Sequence, residues 1–141
     1  MKKLLLIPLL MFACDTGQPP TADDLRGDYT LLWLYAEDIY YHANEETNGS
    51  IASGQLSFGS TNSSGYVWLT EAAVPRMLFE LDLTGTYFLD GDMLTINTDQ
   101  RVHDFFDVEF LGDELRMSYE ASSAGGSTII ELSFVKDEGG N

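Results

Sequence analysis

Cys14, His42 and His103 are the only thiol and the only imidazoles among 141 residues. Neither histidine has a partner four residues away, as a helical zinc pair needs, and neither has a neighbouring cysteine to help. His42 sits in a polar stretch, His103 beside Asp104. Asp90-Gly91-Asp92 begins like a calcium loop, but Leu94 and Ile96 follow where oxygen ligands would have to continue, so a hairpin turn is the expected reading. Gly125-Gly126 lacks the lysine of a phosphate-binding loop, and no Gly-x-Ser-x-Gly elbow is present. The residues therefore point away from an enzyme, and they suggest neither a metal nor a cofactor.

Charge narrows the partners. The chain carries 23 acidic residues against seven basic ones, net −16, and without Lys2 and Lys3 five basic residues remain, net −18. Such a globule repels nucleic acid and anionic lipid headgroups alike. The acids are scattered through strands and turns, the distribution of a solvated surface.

Lys2 and Lys3 precede an apolar run from Leu4 to Ala13 that ends at Cys14. A basic start and an apolar stretch of about ten residues, too short to span a bilayer, describe an export signal. Leu10-Met11-Phe12-Ala13-Cys14 resembles the lipobox of bacterial lipoproteins, with Ala13 in the small position and Met11 where a branched aliphatic residue is usual. The resemblance implies removal of residues 1–13, acylation of Cys14 (palmitate or a related chain), and a membrane partner reached through those chains on the cell envelope. An ordinary secretory signal with an incidental cysteine is the alternative. Asp15 resembles the signal that retains some lipoproteins in the inner membrane. Residues 14–24, with Pro19 and Pro20 and no apolar period, read as a lipidated cysteine and an extended or disordered tether. Residues 25–137 read as the domain and 138–141 as a disordered tail.

Positioning falls to strands. Short runs rich in Tyr, Phe, Val, Ile and Thr alternate with Gly, Asn, Asp and Ser clusters. They predict strands over Asp28–Tyr35, Ser50–Phe58, Gly65–Thr70, Met77–Thr84, Thr86–Leu89, Met93–Asn97, Val102–Leu111, Glu114–Glu120 and Thr128–Lys136. Phe106, Val108 and Phe110 oppose Asp107 and Glu109, and Leu115, Met117 and Tyr119 oppose Arg116, Ser118 and Glu120, so one face is buried and the other wet. Asp90-Gly91 and Gly112-Asp113 supply the positive φ of tight hairpins. The fold class is all-β, a small antiparallel up-and-down barrel or, alternatively, a β-sandwich.

Leu25-x-Gly27-x-Tyr29 recurs as Leu83-x-Gly85-x-Tyr87, and the last strand ends in Phe134. This order resembles the lipocalin-like domains of small bacterial lipoproteins, with Tyr29 where that family usually has tryptophan. The resemblance implies a closed barrel of about eight strands. An interior of that size is either packed solid or holds one small ligand; the bulky strand residues favour a mostly filled barrel with a shallow mouth. Trp33, Tyr35, Trp68, Phe79, Tyr87, Phe106, Phe110 and Tyr119 are the candidates to line a site for a small apolar or amphipathic ligand, with Arg76 and Arg101 as possible polar groups. Ile39, Tyr40 and Tyr41, in the long connection from Ala36 to Asn48, form a candidate lid, either as a helical turn over the open end or as an extension of the first strand. A structural or protein-interaction lipoprotein with a filled barrel is the rival role.

Cys14→Ser is expected to leave an uncleaved or mislocalised precursor, because a hydroxyl cannot carry the thioether-linked lipid whose buried methylenes contribute about 0.8 kcal/mol each. Membrane fractionation in high salt checks it, and a serine variant that matures and stays with the membrane would refute the anchor.

Overall fold

A computed structural model describes residues 21–74, 76–98, 104–123 and 126–137. The expected signal, Cys14, the tether as far as residue 20, Arg101, His103 and the tail lie outside the described residues. One helical turn, α1 (Ala22–Leu25), is followed by β1 (Gly27–Ala36), β2 (Ile39–His42), β3 (Glu46–Thr47), β4 (Ser50–Phe58) and β5 (Asn62–Glu71). The rest is β6 (Arg76–Asp82), β7 (Gly85–Asp90), β8 (Met93–Asn97), β9 (Asp104–Leu111), β10 (Glu114–Ser123) and β11 (Gly126–Lys136).

Eight strands pair antiparallel in the order β1-β11-β10-β9-β8-β7-β5-β4, and β4 returns to β1, so the sheet closes into a barrel and is not a sandwich. Closure pairs every ring strand on both sides and removes the free edges that an open sheet would leave. The expected hairpins are present: Gly91 at φ 63° turns β7 into β8, and Gly112 at φ 67° turns β9 into β10.

The two ends of the barrel differ. β1 pairs with β4 only from Gly27↔Phe58 to Thr30↔Gln55; beyond that its upper half turns to β2, from Trp33↔His42 to Ala36↔Ile39. β2 and β3 fill the resulting wedge. Ala43 bridges Ala52, Asn44 N–H donates to the Ala52 carbonyl at 2.8 Å, and β3 pairs with the start of β4. The stretch expected to be a connection, Ala36 to Asn48, is therefore part of the wall. Because barrel diameter grows with strand number, the inserted strands widen this end.

β6 and β7 are successive lengths of one partner of β5. Tyr66↔Asp82 and Ser63↔Gly85 share a single register, and across the break Leu83 N–H donates to the Gly65 carbonyl at 3.0 Å. The expected separate strands, Met77–Thr84 and Thr86–Leu89, thus form one kinked run whose upper part, β6, lies outside the ring. Gly85 allows the kink to press on β8, since a Cβ there would lie 1.9 Å from the Asn97 carbonyl oxygen.

The narrow end is plugged. Thr21 and Asp24 cap α1 reciprocally, each side chain accepting from the other's backbone N–H at 3.2 Å. Residues 22–24, expected in the extended tether, are therefore helical. The turn delivers Leu25, fully buried, under the barrel. Tyr29 Oη donates to the Leu25 carbonyl at 2.9 Å, and the Tyr29, Phe58 and Tyr87 rings meet edge to face at 6.0 and 5.0 Å. Tyr87 Oη donates to the Gly59 carbonyl at 2.6 Å. Above them Leu94, Ile96, Phe106, Leu115, Met117, Leu132 and Phe134 fill the interior.

Burial first, then the Asp24 carboxylate, pushes the Tyr29 hydroxyl well above the ordinary tyrosine value, and burial pushes Tyr87 up as well. A group with a raised folded pKa contributes stability that is fully present below its unfolded pKa and lost above it. Thermal melts are expected to hold steady up to about pH 10, where free tyrosine ionises, and to fall beyond it. Tyr29→Phe should lose about 1 kcal/mol at neutral pH with its hydrogen bond and show a shallower alkaline decline.

Candidate functional site

The widened end holds a cavity of about 370 Å³. Leu34 and Ala36 of β1, Tyr41 of β2 and Leu69 of β5 line one side, and Leu78 and Phe79 of β6 with Ala121 of β10 and Thr128 and Ile130 of β11 line the other. Glu37, in the β1–β2 turn, adds a carboxylate. Glu37 and Asp38 both have positive φ, 52° and 66°, the geometry that lets two residues reverse the chain without splaying the strands. The site is an apolar cup with one carboxylate and the hydroxyls of Tyr41 and Thr128.

Of the eight candidate aromatics, Phe79 lines this cavity. Phe106 and Tyr119 pack edge to face below it at 5.3 Å, Phe106 fully buried and Tyr119 paired across strands with Ile130. Phe110 packs against the core nearer the narrow end, and Tyr87 belongs to the plug. Trp33, Tyr35 and Trp68 lie on the outer face. For Trp33 and Tyr35 the reason is a bulge: Leu31 opposes Phe134 while Trp33 opposes Ser133, so two residues of β1 face one of β11 and the alternation shifts by one. Leu34 and Ala36 then point inward. Of the lid candidates, Tyr41 lines the cavity, and Ile39 pairs with Ala36 on the same face. Tyr40 packs outside, 4.5 Å from Tyr35 and 5.1 Å from Trp33. All three belong to a strand of the wall rather than to a helical cover.

The outer face carries its own polar network. Arg116 lies 5.6 Å from the Trp33 ring centroid and donates from Nε to Glu114 at 3.0 Å, and the buried Ser133 hydroxyl donates to the same carboxylate. These donors, Ser133 first, hold Glu114 below the usual carboxylate range. Tyr35 Oη donates to Asp38 at 3.0 Å, and that bond raises its pKa. His42 is exposed, and Arg76 pairs with Glu71 at 3.1 Å away from the cavity lining. Among the described residues no three His, Cys, Asp or Glu side chains group as a metal would need.

Aromatic size and strand placement are the sequence signals behind these candidates. The cavity's aliphatic lining gives no such signal, because Leu34, Leu69, Ala121 and Ile130 look like any core residue in sequence, and only the wedge exposes them to a void.

No family model, curated protein or solved structure matches the chain. The class rests on the fold: an all-β protein whose eight-stranded antiparallel barrel is consistent with a lipocalin-like fold.

Trp68 stacks on Tyr66 at 4.0 Å, and its buried Nε1 has no hydrogen-bond partner among the described residues. An unpaired buried donor costs about 1–3 kcal/mol. Trp68→Phe, which removes the donor and keeps an aromatic ring, is therefore expected to lose less than about 1 kcal/mol in urea unfolding, below the usual cost of trimming a packed side chain.

Proposed function

We propose that this chain is a lipid-anchored protein of the bacterial cell envelope that binds a small apolar or amphipathic molecule in the wide end of its barrel, as a carrier or sensor and not as an enzyme. The observation that carries the binding role is the apolar cavity of about 370 Å³, within the range of small-molecule sites. Its walls are aliphatic and aromatic, with few polar groups to orient a ligand. The bilayer attachment rests on the basic, apolar and small-residue pattern that leads into Cys14. With Glu37 as the charged group of the lining, a neutral or cationic head fits better than an anionic one.

A protein-interaction role is the second reading, favoured by Leu32, Tyr40, Phe88 and Ile129, which remain exposed on the outer surface. The full-length protein should bind a neutral phenylnaphthylamine fluorophore saturably. Ala121→Trp, which fills the cup, should weaken that binding at least about tenfold while overpacking costs about 1–3 kcal/mol of stability. Absent binding, or binding indifferent to Ala121→Trp, would refute the cavity as the site and leave the interaction role.

A further inference from the structure

A second depression lies on the outer face of the narrow half, and the strand register explains it. Asp28 pairs with Ser57, and Ser57 with Ser64, so these three outward side chains form one transverse row that Thr84 continues. The next row is taller: Gln55 pairs with Tyr66, and Tyr66 with Asp82. Small hydroxyls beside a larger amide and ring leave a trough of about 420 Å³, which Asp137 closes at the β1 end.

Tyr66 stands as its wall. Trp68 stacks on one face of the Tyr66 ring at 4.0 Å and does not line the trough, so the other ring face is left for a ligand. The polar complement is ready for a ligand. Asp28 accepts from Ser57 with one carboxylate oxygen and Asp137 accepts from Thr30 with one, and among the described residues the other oxygen of each has no side-chain partner. Neither Gln55 nor Ser64 has a side-chain partner among the described residues.

We propose that this trough binds a neutral carbohydrate, one pyranose ring laid against Tyr66 with its hydroxyls hydrogen-bonded to Asp28, Gln55 and Ser64. A sugar ring presents an apolar C–H face and an equatorial rim of hydroxyls that each donate and accept. An aromatic face flanked by carboxylate and amide oxygens, an amide NH₂ and a hydroxyl complements both. Among the described residues no basic side chain lines the trough and two carboxylates do, which disfavours anionic ligands. A single ring wall with a floor of hydroxyls also differs from the several-sided aromatic cage that holds a quaternary ammonium.

The test is calorimetric titration of the full-length protein with maltohexaose, cellohexaose and a chitooligosaccharide, followed in parallel by tryptophan emission. Saturable binding of at least one of them at millimolar concentration is expected. Tyr66→Ala should weaken it at least about tenfold, Tyr66→Phe should retain it, and Gln55→Ala, on an exposed side chain that leaves the fold intact, should weaken it as well. Binding of phenylnaphthylamine should stay unchanged in Gln55→Ala, which separates this site from the barrel cavity. No saturable binding of any of the three sugars, binding unchanged in Gln55→Ala, loss in Tyr66→Phe equal to that in Tyr66→Ala, or a preference for tetramethylammonium would each overturn the proposal.

Discussion

Four residue pairs between β1 and β4, from Gly27↔Phe58 to Thr30↔Gln55, close this barrel, and much else follows from their stopping there. Had the pairing continued along both strands, the cylinder would be uniform and its interior filled from end to end. Instead the upper half of β1 leaves β4 and takes β2 as its partner. A wedge of chain must then complete the wall, and a wall with more strands encloses more space than the side chains of Leu34, Leu69 and Ile130 occupy. The narrow end, where ring strands meet directly, has no such surplus. There Leu25 and the Tyr29, Phe58 and Tyr87 rings fill the bore.

Glycine makes the tight half possible. At Gly65 a Cβ would sit 2.3 Å from the Gln55 carbonyl oxygen, and at Gly54 one would sit 2.8 Å from that of Tyr66. β4 and β5 therefore approach each other closely just where the barrel narrows.

The alternation in the second half of the chain was plain in sequence because each apolar residue of β10 and β11 faces a charged or hydroxylated neighbour, and one glycine marks each of two hairpins. Where both faces are apolar the pattern is silent. Tyr66, Val67, Trp68 and Leu69 give no phase by themselves, and the ring stacking on Trp68 becomes visible only when the strand has neighbours. The bulge after Leu31 is illegible for a different reason: it inserts a residue without glycine or proline, and it turns Trp33 and Tyr35 outward against a perfect sequence alternation with Tyr29 and Leu31. β2 and β3 are a further case. Asn48-Gly49, both at positive φ, turns β3 into β4 inside the stretch expected to be a connection, and Glu37, the first residue of the β1–β2 turn, takes a left-handed conformation that its type does not favour.

The capped turn at Thr21–Leu25 enters the barrel from below, on the side opposite the cup. Whatever lies amino-terminal to Thr21 therefore meets the domain at its sealed base. The rim around Glu37 and Tyr41 lies at the other end of the barrel, so a tether leading from Thr21 leaves that rim clear of the attachment point. Under the proposed anchoring and binding roles, a small molecule would reach the cup from the side away from the tether, with the sealed base between it and the attachment point.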